Sequence, residues 1–289
     1  MSPDLGYVAL ALALGGVHFV SEPARWWAYT GAAPGFLRLL QVFSLTALAT
    51  YLAPLKLGLP LRLYLLNLRA NLPLPRALAL ATVDGLLSYS LWGVGAAAAY
   101  GLLAHLEFRI ANAGIIAAAT VIVVILLSVL LAWRGRRARA PAASGRWLRF
   151  VEAVTLAMRE TTLMALVLAT LIMVVDVAAL GARHWALAQA LGQDLPLALA
   201  GAIGVLSVFA GLASMMPMGL GGYDIVLVAL LEQAGVPIEV AIGVTLLNRL
   251  LNVTIALALG GWAGTTLGIR ANRELVQAAS SRAETANRR

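Results

Sequence analysis

The sequence predicts an all-α, polytopic integral membrane protein with one transporter-like domain over residues 1–268 and a polar tail at 269–289. Three observations carry that expectation. Of 289 residues, 61% are hydrophobic and only 12% are charged, whereas soluble domains sit near ~45–50% apolar and about 25% charged. The apolar residues collect in runs close to the ~20 needed to cross a bilayer, with room for about six to eight membrane segments. Finally, no polar stretch is long enough to fold alone as a soluble catalytic domain.

The runs follow one another along the chain. Leu5 to Val20 comes after Ser2-Pro3-Asp4 without a basic leader, so it reads as a retained first helix and not a cleaved signal. A connector with Trp26, Trp27 and Tyr29 suits a membrane interface. Phe36–Ala53 is the second run, followed by a break from Pro54 to Arg62 and a helical patch to Asn71. Arg76–Ala104 and Ala111–Trp133 are two further spans. Residues 134–160 form a basic loop in which Trp147, Val151, Val154 and Met158 recur as on an amphipathic surface helix. Thr161–Ala182 crosses again, Pro196–Met216 runs into a second break at Pro217–Asp224, a short segment reaches Gln233, and Ile238–Gly268 is the last span.

The two breaks match. Pro54 precedes Gly58 as Pro217 precedes Gly221, and the segment from Pro73 to Leu87 aligns with Pro237 to Leu251, pairing Asp84 with Asn248. Gly/Pro-interrupted apolar segments at corresponding places in two halves point to a transporter site. Charge gives the orientation. With each break taken as a re-entrant hairpin and 134–159 placed in the cytoplasm, Lys and Arg number 2 in 21–38, 4 in 54–76, 7 in 134–159 and 5 in 269–289 on the cytoplasmic side. Arg109 and Arg183 fall outside, and Arg249 lies within the last helix. The positive-inside rule and an inverted repeat with oppositely directed hairpins therefore agree, with the C-terminus in the cytoplasm of a bacterial or archaeal cell. The net charge of +8 reflects this topology and not a nucleic-acid partner.

The motifs resemble those of a known family, the flippase-like transmembrane domain of lysylphosphatidylglycerol synthases and its stand-alone relatives. Pro54, Gly58, Arg62, Tyr64, Leu65 and Leu66 match its first signature; Gly219, Gly221, Asp224, Gly235-Val236 and Arg249 match its second. The chain departs from the pattern at Leu59, where the family carries Glu, at Gly85 in place of Arg, and at Asp224 in place of Glu. The resemblance implies movement of a lipid or lipid-linked group between leaflets. Without the aminoacyl-transferring domain, it does not imply lipid aminoacylation.

Ionisable groups at membrane depth mark candidate sites. The donor fork of Arg249 suits a phosphate headgroup, or else it pairs with Asp224 or Asp84. Arg62 and Lys56 flank the first break, where freed N–H groups favour an anion; alternatively they snorkel to headgroups. Gly58, Gly219 and Gly221 supply the backbone freedom of the breaks. Asp224 serves either as a proton carrier or as a helix cap paired with Arg249. Asp84 and Asp176 belong to the pathway or to helix–helix contacts, and Asn248 and Asn252 suit interhelical hydrogen bonds.

No cofactor is expected: the three His make no metal set, no Gly-Lys-Ser/Thr loop is present, and there is no Cys. The leading expectation is a non-enzymatic translocase for an anionic phospholipid or polyprenyl-phosphate lipid, working by alternating access around Arg62, Arg249, Asp224 and Asp84 and driven by a proton or ion gradient or by none at all. A membrane-embedded glycosyl or phosphoryl transferase and a lipid-binding accessory subunit are the alternatives.

Overall fold

The computed structural model describes residues 3–31, 33–52, 58–108, 125, 152, 154, 156–157, 160–214 and 221–287, the last nineteen as backbone only. Pro54, Lys56, Pro217, Gly219, the expected span 111–133 and most of the basic loop lie outside them. Eight helices are described: α1 (Leu5–Tyr29), α2 (Phe36–Leu52), α3 (Gly58–Ala70), α4 (Leu74–His105), α5 (Leu163–Ala190), α6 (Leu197–Ala213), α7 (Gly222–Gln233) and α8 (Ile238–Asn287). The protein is all-α, as expected, and α1, α4, α5 and the Ile238–Gly268 part of α8 are long and apolar enough to cross a membrane.

Local chemistry sets the ends. The Asp4 carboxylate accepts from the Gly6 N–H at 2.8 Å to cap α1, and Thr162 caps α5 by accepting from the Ala165 N–H. Gly235, with φ of 86°, turns α7 into α8 just before Pro237. The outward faces are apolar. Val167, Leu171, Val174 and Val175 on α5 and Ile242, Leu246, Leu250 and Leu257 on α8 are all exposed, as helices bathed in lipid tails require.

The packing repeats itself. If α1 is exchanged with α5, α2 with α6, α3 with α7 and α4 with α8, every packed helix pair among the described residues maps onto another packed pair. The α1–α5 pair maps onto itself. These two run antiparallel: the Asp4 N–H donates to the Ala190 carbonyl at 2.9 Å, Tyr7 meets Trp185 edge-on, and His18 meets Asp176. An operation that swaps antiparallel helices must turn one half over, so the repeat is inverted.

Each half contains a helical hairpin, α2–α3 or α6–α7, whose arms pack together. A Cβ on Gly58 would come within 1.9 Å of Thr50 Oγ1, and one on Gly222 within 2.7 Å of the Ser214 Cβ. The contacts therefore pair Gly58 with Gly222 and Thr50 with Ser214, one residue away from the Gly58–Gly221 pairing read from sequence.

Three expectations change. Trp26 and Tyr29 are not interfacial: they lie in α1 with 1% and 5% exposure, while Trp27 is exposed. The first helix runs through Pro23, so the supposed connector is its second half. The last helix passes Gly268 into the segment expected as a tail. Within the expected surface helix, residues 152, 154, 156 and 157 are helical, with Val154 and Ala157 buried and Leu156 exposed.

The antiparallel α1–α5 pair places Ala33 and Asp194, both exposed, at opposite ends of the bundle. Single cysteines at these positions are expected to react with an impermeant maleimide from opposite sides of the membrane. Labelling of both from one side contradicts the inverted arrangement.

Candidate functional site

The face of α1 that turns inward carries His18, Glu22, Arg25 and Tyr29, spaced so that all four project from one side of the helix. The first three border a cavity of about 520 Å³ that also receives Phe43, Thr50 and Tyr51 from α2, Arg62 from α3, Asp84 and Ser88 from α4, and Asp176 from α5. Arg25 reaches across to α4. Its Nε lies 2.8 Å from Asp84 Oδ1 and its Nη2 lies 3.3 Å from Oδ2. Ser88 Oγ accepts a further bond at 3.4 Å, and Tyr29 donates its hydroxyl to Asp84. The fork-to-carboxylate match is the strongest side-chain hydrogen bonding available to a guanidinium.

Asp176 joins the halves. His18 Nδ1 is 2.8 Å from Asp176 Oδ1, and Arg25 Nη1 is 3.9 Å from Oδ2. Arg62 forms an ion pair with Glu22, donates to Thr46 Oγ1 at 3.3 Å and sits 4.3 Å from the Phe43 ring centre. The two ion pairs differ in burial. Arg25 and Asp84 have side-chain exposures of 6% and 8%, whereas Glu22 is 37% exposed. Three carboxylates and two guanidiniums line this space, so its charge balances when His18 carries a proton.

A second polar group lies in the other half. Arg249 on α8 grips Asp224, with Nε 2.8 Å from Oδ1, and Asp224 also accepts the Gly221 N–H at 3.1 Å. Gly221, with φ of 85°, adopts a backbone shape that favours glycine. Asn248 Nδ2 donates to the Tyr223 hydroxyl at 2.7 Å, and that hydroxyl lies 2.8 Å from His184 Nε2. The Leu180 carbonyl, 2.8 Å from His184 Nδ1, can only accept, so Nδ1 carries a proton.

The sequence candidates therefore fall into two groups instead of one. Arg62 and Asp84 line the cavity; Asp224, Arg249, Gly221 and Asn248 assemble around α7 and α8. Asp224 pairs with Arg249, but it is not the N-cap expected: Gly221 holds that position, and Asp224 stands three residues on, its carboxylate reaching back to the Gly221 N–H. Gly58 lies beneath Thr50, and Tyr64 is 60% exposed, away from the cavity lining. Lys56 and Gly219 lie outside the described residues. Sequence reasoning passed over Glu22, Arg25 and Tyr29 because Pro23 and the charges read as a connector. The helical spacing from His18 to Tyr29 was the signal available. Arg183, expected in an outside loop, instead lies in α5 with 1% exposure, because α5 runs on past Ala182.

Removing one partner of a buried ion pair leaves the other charge unpaired, at a cost of about 3–5 kcal/mol. Arg25→Ala and Asp84→Ala are each expected to lower the melting temperature in detergent sharply, and the double variant to recover part of the loss. Additive losses in this cycle exclude the coupling.

Neither a curated protein nor a solved structure matches the chain. Over residues 1–260 it matches the family described as the lysylphosphatidylglycerol synthase TM region. With that match spanning nearly all of the membrane-embedded helices, the chain belongs to the lysylphosphatidylglycerol synthase transmembrane-region family.

Proposed function

We propose that this protein is a lipid translocase that moves an anionic, phosphate-bearing lipid between leaflets by alternating access, and that it acts without being an enzyme. The observation that carries the reading is the pair Arg62–Glu22 in the lining of a charged cavity among helices whose outward faces are apolar. Arg25 is locked by a buried carboxylate. The partner of Arg62 is the more exposed one, so a headgroup phosphate exchanges for the Glu22 carboxylate without leaving the guanidinium bare. The inverted halves provide the two-sided frame that alternating access needs, and membership in a lipid-related membrane family points the same way.

In this reading α2–α3 and α6–α7 are oppositely directed re-entrant hairpins, and residues 134–159 and the C-terminus face the cytoplasm of a prokaryotic cell. Phosphate binding beside Glu22 adds negative charge to the cavity, and a proton taken up with the lipid restores balance.

Fluorescent phosphatidylglycerol in liposomes, with dithionite quenching of the outer leaflet, reads the activity. Arg62→Ala loses a charge-assisted bond and is expected to slow translocation about ten- to hundredfold, with Arg62→Lys intermediate. Glu22→Gln frees Arg62 and is expected to lower the lipid concentration needed for half-maximal rate. Wild-type rates in Arg62→Ala rule out this headgroup site.

A further inference from the structure

The two halves carry the same arginine with different company. Arg25 on α1 bonds Asp84 and Ser88 on α4. Arg183 on α5 donates from Nη1 to Asn252 Oδ1 at 2.6 Å and from Nη2 to the Asn248 carbonyl at 3.2 Å on α8. The separation in sequence that relates Asp84 to Asn248 also relates Ser88 to Asn252, so the two arginines hold equivalent posts. The equivalence fails most clearly at Nε. Arg25 Nε is bonded to Asp84 Oδ1, whereas the buried Nε of Arg183 has no partner among the described residues. An amide stands where the first half has a carboxylate, and its own Oδ1 accepts nothing either.

Arg183 is thus a guanidinium with 1% exposure, held only by neutral groups, and no described carboxylate pairs with it. A charge left this way within a membrane protein is costly unless something supplies the opposite sign. The post lies beside the cavity: a Cβ on Gly15 of α1 would come within 3.0 Å of Arg183 Nη1, and His18, one turn further along α1, lines the cavity.

We propose that Arg183 is the anion-binding centre of the second half, taking a phosphate group that enters from the cavity beside Gly15 and supplies the charge that Asp84 supplies in the first half. The site rests on the transport reading only for the source of the phosphate. A headgroup released from Arg62 then has a second cation to move to, on the helix that carries the other half of the repeat.

The test restores the missing carboxylate. Purified protein in neutral detergent is melted with inorganic phosphate, with short-chain phosphatidylglycerol, and with phosphatidylcholine as the zwitterionic control. The wild type is expected to gain several degrees with phosphatidylglycerol, and with inorganic phosphate as well where the free anion suffices. The variants are compared in the Arg62→Ala background, so that headgroup binding at Arg62 does not contribute. There a folded Asn248→Asp, which places a carboxylate beside Arg183 but gives up the amide donor to the Tyr223 hydroxyl, is expected to lose the ligand shift. Arg183→Gln is expected to lose the shift too, and it decides the matter where Asn248→Asp does not fold. A shift retained in Arg183→Gln on that background, or no anion-dependent shift in Arg62→Ala alone, overturns the proposal. So does a folded Asn248→Asp with an unchanged shift, the result expected where a water merely bridges Nε and the amide. Arg62→Ala separates the two readings: normal translocation in that variant, with the Arg183-dependent shift intact, removes the cavity mechanism and leaves the anion centre standing.

Discussion

A charge inside a bilayer cannot borrow water, so it must find its partner on another helix. That constraint organises the interior. Arg25 binds α1 to α4 through Asp84, His18 binds α1 to α5 through Asp176, and Arg62 binds α3 to α1 through Glu22. Removing any of these partners would strand a charge, which restricts how the helices can be ordered and rotated about their axes. Arg183 satisfies the rule least, with hydrogen bonds but no counter-charge.

Between lipid-solvated helices, apolar burial supplies little net attraction, and close contact has to do the rest. Glycines allow it. Gly181 lies against Gly201 backbone to backbone, Gly204 accommodates the His184 ring, and Gly260 admits Leu48 of α2. The last contact belongs to the packing of the first hairpin on the final helix, whose counterpart is the packing of α6 on α4. Gly260 thus brings the first hairpin onto the last helix of the other half, while Gly181, Gly201 and Gly204 draw α5 and α6 together within one half.

Much of this was legible in the sequence. The apolar runs, the paired breaks and the family motifs gave the membrane fold, the repeat and its sense. The helix ends were less legible, because Pro23, Glu22 and Arg25 look like a connector until their partners are known, and Arg183 looks like a loop residue until Asn248 and Asn252 are seen beside it. Spacing along one chain shows which residues share a face, but not which helix that face meets. For the same reason Arg62 and Arg249, both expected to belong to one site, are held by different carboxylates.

The same offset that relates Arg25 to Arg183 relates His18 to Asp176, and these two residues touch. A residue that touches its own counterpart lies on the axis between the halves. In an inverted repeat, the two end states of a transport cycle arise when the halves trade conformations; identical halves would make those states equal in energy. Here the axis holds a base on one side and an acid on the other. On the transport reading proposed above, the two directions of opening are therefore inequivalent even with nothing bound, and the empty protein has a resting side.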